Sequence, residues 1–395
     1  MNSFDDAIAL TLGLARPLGV ESVSLNEAAG RITAAPVTAR GDSPRAAVSA
    51  MDGYAARSED LAGAPIRLRI VGESFPGSGF GGTVGPGQAV RIFTGAPVPA
   101  GADRIVIQEM VRREGDQALL DGPPQGPSHV RDRGSDFVDG EVLLDAGRRL
   151  DPRGMVAAGA ADRESIEVYV RPRVVVMGTG DELMEPGTAH LTRFGIPESV
   201  SHGVAALAEA WGGTSVGRLR LSDNLELLKA AARQALEAAD VAVVTGGASV
   251  GDRDFARAMF EDCGLELVFS KVEMKPGKPV WLGRALGKLV LGLPGNPTSA
   301  LVTGRLFLAP LISGLAGARP EEALAWRPAR LTADLPATGD RETFYRARRT
   351  AEGLEPFSDQ NSGSQKTLAM ADALIRRLAE TPGLKAGEEA ESLEF

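Results

Sequence analysis

The chain has 395 residues, 43% hydrophobic and 24% charged, enough to bury more than one core and consistent with roughly two to four domains. Its 43 Lys and Arg stand against 52 Asp and Glu, a formal charge of -9, which disfavours nonspecific attraction to nucleic acid or an acidic membrane, so neither is an expected partner. One cysteine, Cys263, excludes an intrachain disulfide, three scattered histidines (His129, His190, His202) cannot build a zinc site of nitrogen and sulfur ligands, and a reducing cytoplasm is expected.

The opening MNSFDDAIALTLGLARPLG has acids where a signal peptide needs a basic region. Ile8, Leu12 and Ala15 fall at helical spacing and predict a helix, and ESVSLNEAAGRITAAPVTAR reads as strand, short helical turn and strand. This segment is too short for a domain, so it is expected to pack on a later module and make the domains discontinuous in sequence. Residues 40 to 150 place turn signals such as PGSGFGGTVGPGQ between short apolar runs, which predicts a small all-β module.

From Arg173 the text alternates strand (VVVMG), helix (ESVSHGVAALAEAWGG), apolar run (GTSVGRLRL), helix (SDNLELLKAAARQALEAA) and strand (VAVVTGG). That alternation predicts a parallel sheet with helices on both faces. Ser222 or Asp223 is expected to cap the helix carrying Leu225, Leu228, Ala232 and Leu236. The apolar stretch Leu306 to Leu315 is expected to be interrupted by Pro310 and to fall short of a membrane span. Beyond about Ala318 the chain turns polar and strand-like again and ends in EEAESLEF, which predicts a second β module.

Several loops carry chemistry. In VVVMGTGDELMEPG a buried strand ends at Gly178, and Thr179, Gly180, Asp181 and Glu182 follow at the carboxyl end, where open α/β sheets place ligands. In VAVVTGGASVGDRDF, Gly246, Gly247 and Gly251 permit tight turns and Ser249 offers a hydroxyl; Asp252 and Asp254 suit either a divalent cation beside phosphate or the cap of the next helix. KPGKP stiffens a segment that carries Lys275 and Lys278, point charges suited to an oxyanion. GLPGNPTSA brings Pro294, Gly295, Asn296 and Pro297 to a helix start at Thr298 or Ser299, whose amides are expected to face an anion. The loops after VAVVT, VEM and KLVLG are each read as following an apolar strand, so that together they form one mouth for a polyanion. In the first β module, SAMDGYAAR and RIFTGAPVPAGAD place Asp52 and Thr94 in turns that suit a plain hairpin equally well.

Taken in order, SAMDGYA, RIFTGAPVPAGAD, RDRGSDF, GTGDEL, GGASVGDRDF, MKPGKP and LPGNPTSA resemble the molybdopterin molybdenumtransferases, the family of bacterial MoeA and the gephyrin E domain. The resemblance spans nearly the whole chain. It implies a multidomain α/β plus β fold in an elongated, homodimeric subunit: an adenylyltransferase-like α/β domain with a parallel-rich sheet, two small β domains and a small mixed domain. On this chain the divisions fall at 21–45 with 139–171 (mixed), 46–138 (β, with MDGYA and TGAPVP), 172–320 (α/β, molybdopterin-binding, with helix 1–20 packed on it) and 321–395 (C-terminal β).

The resemblance also implies that adenylylated molybdopterin and molybdate give molybdenum cofactor and AMP with Mg2+, in the cytoplasm, between the α/β domain of one subunit and the MDGYA domain of the other. Asp52 and Thr94 would then face the site from the partner, with Asp136 near the cleft. Glu182, Asp223 and Asp254 would be the acids for metal and substrate, Lys275 and Lys278 the cations for molybdate or phosphate, and Pro294 and Pro297 the shapers of their loop. Molybdopterin adenylyltransferase and molybdoenzyme-maturation proteins are the implied protein partners. A divergent paralogue, inserting tungstate or adenylylating molybdopterin, and a gephyrin-like scaffold are the alternatives. One departure is local: where the family has I-x-D-S/T-N, this chain reads Ile196, Pro197, Glu198, Ser199, Val200, so Glu198 and Ser199 replace acid and hydroxyl, the asparagine amide is lost, and either Ser201 or His202 compensates or substrate contact here is weakened.

Overall fold

Alternating apolar residues on the Arg173–Thr179 strand send Val174 and Val176 into one buried cluster and Val175 and Met177 into another, which is what a strand covered on both faces requires. The computed structural model of the chain describes residues 1–246 and 255–395. These form two compact units, one of residues 1–35, 146–151 and 167–395 and a second of residues 36–145 and 152–166.

In the first unit a six-stranded sheet runs in the order Thr214–Leu221, Arg173–Thr179, Val241–Thr245, Lys288–Leu293, Trp281–Ala285, Glu266–Phe269. The first four strands are parallel, and Trp281–Ala285 runs antiparallel to both of its neighbours. The sheet is parallel-rich and not wholly parallel, because Leu286 and Gly287, both at positive φ, close a two-residue hairpin and need no crossover. Helices Val200–Ala210 and Leu225–Ala238 lie in the two different core clusters and so cover opposite faces.

The cap of the second of these helices is also corrected. The side chain of Asn224, not Ser222 or Asp223, accepts from the Glu226 and Leu227 amides at 3.1 and 3.2 Å. Asp223 sits one residue too early, with its own amide donated to Asp181.

Pro310 does not interrupt its segment. Pro297 to Leu315 form one helix of 19 residues, with a widened π turn at Gly304–Leu308 just before the proline, where the missing amide hydrogen bond is absorbed. The helix has the length and apolarity to cross a membrane, yet 94% of its apolar window is buried inside the protein, the signature of a core helix.

Helix Phe4–Leu14, capped by Ser3, buries Phe4, Ala7 and Ile8 in the same cluster. Phe307 lies at the centre, with ring centroids 5.9 Å from Phe4 and 5.6 Å from Phe269. Phe307→Ala should cost about 3 to 5 kcal/mol of unfolding free energy, read by denaturant titration; a loss below about 1 kcal/mol would mean that the core collapses around the site.

At the amino-terminal ends of three adjacent strands, Asp240 accepts from the Arg173 amide (3.0 Å), the Arg173 side chain (3.2 Å) and Lys288 (2.9 Å). Burial opposes its ionisation, but the bonds from Arg173 and Lys288 prevail and hold its pKa at about 2, against an ordinary 3.8. A depressed carboxylate stabilises above the unfolded value, so this contribution is complete above 3.8 and is lost as pH falls towards about 2. Arg173 is half exposed, so screening limits the effect to about 1 to 2 kcal/mol. Asp240→Asn should flatten stability against pH in that window, and an unchanged slope in acid denaturation would contradict the assignment.

The polar C-terminal region forms a second sheet in the same unit, ordered Met274–Lys275, Glu342–Thr350, Ala373–Arg377, Glu389–Glu394, Arg327–Arg330. The strand leading into KPGKP therefore pairs with Glu342–Thr350 and not with the α/β sheet, so Lys275 ends, and Lys278 follows, a strand of the C-terminal sheet. The second unit holds another six-stranded sheet, ordered Arg104–Ile107, Gly53–Ala56, Gln88–Ile92, Ile66–Ser74, Gln117–Leu120, Arg112–Glu114, and the helix Pro152–Ala160.

Candidate functional site

Three parallel strands end side by side at Thr179, Thr245 and Leu293, and their closeness depends on glycine. Gly246 has φ 97°, and a Cβ there would stand 2.5 Å from the Thr179 carbonyl oxygen. A Cβ on Gly295 would lie 3.2 Å from the Gly246 Cα. Backbone thus packs on backbone, and Thr179 Oγ1 donates to the Thr245 carbonyl at 3.4 Å.

Above these ends lies a cavity of about 800 Å³, within the range of small-molecule sites. Thr179, Gly180, Glu182, Ser199, Asp223, Gly246, Lys278, Pro294, Gly295, Asn296 and Pro297, all singled out in the sequence, line it. Gly246 after Val241–Thr245, Lys278 and Pro279 in KPGKP, and Pro294 to Pro297 after Leu293 therefore line one mouth.

Other expected site residues stand elsewhere. Gly178 is buried in the strand, where a Cβ would come 3.3 Å from the Glu198 carboxylate. Asp181 accepts from the Asp223 amide at 3.0 Å and so ties two cavity loops together. Lys275 lies exposed on its strand, opposite Thr343, and is not among the cavity-lining residues. Ser299 is buried, its carbonyl accepting from the Thr303 hydroxyl. Of the amides expected to face an anion, that of Thr298 instead donates to the Ser362 carbonyl at 3.2 Å. Gly247, Ser249, Gly251, Asp252 and Asp254 lie outside the described residues.

The PESVSH segment resolves in an unexpected way. Glu198 is 6% exposed and lines the cavity; it accepts from the Ser201 amide at 2.9 Å and from the Ser201 hydroxyl. Ser201 is thus spent on Glu198, His202 is exposed, and Ser199 and Val200 face the cavity. Sequence reasoning missed further lining residues, among them the polar Lys271 and Gln365. Lys271 lay four residues before Lys275, a spacing that could have drawn attention to it. Gln365 comes from the C-terminal module, in the segment QNSGSQKTLAMADAL, which resembles the family's last-domain motif.

In the second unit Asp52 Oδ1 accepts from both the Thr94 amide (2.7 Å) and the Thr94 hydroxyl (2.8 Å). These bonds, backbone first, hold the Asp52 carboxyl below its ordinary range despite slight desolvation, with help from Arg91. Asp136 donates its amide to the Ser43 carbonyl at 2.9 Å.

Cationic and acidic side chains share one cavity at the carboxyl ends of a parallel-rich sheet, the place where open α/β proteins hold their ligands. Family models match nearly the whole chain: the MoeA N-terminal region (domain I and II) over residues 2–161, a probable molybdopterin binding domain over 175–314 and the MoeA C-terminal region (domain IV) over 328–395. The chain belongs to the MoeA family of molybdopterin molybdenumtransferases. It is 34% identical to the molybdopterin molybdenumtransferase of Nostoc sp., covering 91% of this chain and 86% of that one. To the Bacillus subtilis molybdopterin molybdenumtransferase it is 31% identical, over 98% and 93%. The crystal structure of the molybdopterin biosynthesis MoeA protein from Pyrococcus horikoshii OT3 superposes on all of both chains with a TM-score of 0.83 at 27% identity.

Proposed function

We propose that the chain acts in molybdenum cofactor biosynthesis as a molybdopterin molybdenumtransferase, inserting molybdate into adenylylated molybdopterin with release of AMP. The observation that carries this reading is that Lys271 and Lys278 line one cavity together with Glu182, Glu198 and Asp223, in a chain related end to end to that family. Molybdate and pyrophosphate repel each other, and two preorganised ammonium groups offset that repulsion where the phosphate bond breaks. The buried carboxylate of Glu198, fixed by Ser201, orients neutral donors of the substrate. Purified protein given magnesium, molybdate and adenylylated molybdopterin should release AMP; substrate left intact would overturn the reading.

Magnesium belongs to the same proposal. Among the described residues no three His, Cys, Asp or Glu side chains converge to hold a metal. Mg2+ is commonly held by one or two carboxylates together with substrate phosphates, and Glu182 and Asp223 line one cavity, so the donor set fits that mode. When bound, the ion would neutralise phosphate oxygens. Homodimerisation, with Asp52 and Thr94 acting from a partner subunit, a cytoplasmic location and the four-domain division are also parts of this reading. Light scattering of the purified protein tests the dimer.

A further inference from the structure

The PESVSH wall of the cavity carries a half-satisfied carboxylate. Glu198 is buried, and among the described residues its hydrogen bonds come from Ser201 alone, whose amide donates to Oε1 at 2.9 Å and whose hydroxyl donates to Oε2. An ionised carboxylate has room for about four donors, and a buried one is costly to leave short of them. Because Glu198 lines the cavity, a ligand can supply the missing donors.

The residues beside it are apolar. Leu183, Ile196, Pro197 and Val200 line the same cavity, and Leu183 pairs with Ile196 across the parallel ribbon of Leu183–Met184 and Ile196–Pro197. That ribbon is held firmly: the Ile196 amide donates to the Glu182 carbonyl at 2.8 Å, the Glu198 amide to the Met184 carbonyl at 2.8 Å and the Arg220 side chain to the Leu183 carbonyl at 2.9 Å. An apolar wall that ends in a carboxylate suits a flat ring whose edge carries two adjacent donors. Adenylylated molybdopterin, the substrate on the reading proposed above, has two rings to choose from. The 2-amino group and N3–H of the pterin are adjacent donors, one for each carboxylate oxygen, whereas the amino group of adenine is flanked by ring nitrogens that are acceptors and would face the carboxylate with like partial charge. We propose that Glu198 reads the donor edge of the pterin, with the ring face against Leu183, Ile196 and Val200, so that the segment that departs from the family's pattern selects the pterin end of the substrate and not its adenine.

Pterin and lumazine, its 2-oxo analogue, separate the contact to the ring face from the contact to the amino group. In fluorescence titrations the unaltered protein should bind pterin about tenfold or more tightly than lumazine, the scale of one hydrogen bond to a charged group. Glu198→Gln keeps the size of the side chain and an acceptor for Ser201, and its amide can donate to the 2-oxo group, so the preference should fall to about twofold or less. Ile196→Ser, at an exposed position, should weaken both ligands by a similar factor and leave their ratio unchanged. Equal affinity of the unaltered protein for the two compounds, no pterin binding at millimolar concentration, or a full preference in Glu198→Gln would each overturn the proposal. A preference that depends on Glu198, in protein that leaves adenylylated molybdopterin intact, would support it and overturn only the insertion reading; AMP release without the preference would overturn the proposal and leave that reading standing.

Discussion

Lys278→Ala is expected to lower molybdate-dependent AMP release by about a hundredfold, the scale of losing one preorganised charge beside a developing anion. Lys278 is exposed at the cavity, and it has no ion pair with any described residue, so its removal should leave the melting temperature nearly unchanged. Lys271→Ala should act in the same direction, because it lines the same cavity from its half-buried position. The sensitive readout is the KM for molybdate together with kcat, measured for Lys271, Lys275 and Lys278 variants side by side. Activity lost only in Lys275→Ala, with the other two unimpaired, would place the anion along the exposed strand and refute the cavity assignment.

Gly246→Ala is expected to remove activity by a different route. The new Cβ would meet the Thr179 carbonyl oxygen at 2.5 Å, and neither atom sits on a flexible side chain. The ends of the Arg173–Thr179 and Val241–Thr245 strands would have to part, moving two cavity-lining residues at once. The strained φ and the clash together should cost about 1 to 3 kcal/mol, and a displacement near 1 Å at a reacting centre is worth about a hundredfold in rate. Gly287→Ala is the control: its φ is 73°, but nothing lies within 4 Å of the added carbon. That variant should pay only for the left-handed backbone, about 1 kcal/mol, and keep full turnover. Equal rate losses in the two variants would show that backbone strain, not the clash at the strand ends, is responsible.

Much of the α/β unit was legible because periodicity records burial. The run VVVMG could only be a strand covered on both faces, and Leu228, Ala232 and Leu236 could only be one face of a helix; both are buried as expected. Boundary chemistry was less legible. Asn224 took the cap because Asp223 was held by Asp181, 42 residues away in sequence, and nothing near Asp223 announced that bond. Pro310 looked like a stop, yet the preceding turn widens and the helix continues, a choice made by the core around Leu306, Phe307 and Leu308.

The sequence by itself determined which loops carry glycine, proline and charge, that those after Arg173–Thr179, Val241–Thr245 and Lys288–Leu293 follow buried strands in an α/β pattern, and that seven motifs in order belong to one family. These properties are local: they depend on residue type and on spacing over a few turns or one strand. Only the tertiary structure decided which of those charges share a space. It brought Lys271 and Gln365 to the cavity, left Lys275 on the C-terminal sheet and buried Glu198 against Ser201. The reason is that a side chain's neighbours across a strand end are set by sheet order and backbone contact, as at Gly246 against Thr179, and no spacing along the chain encodes them.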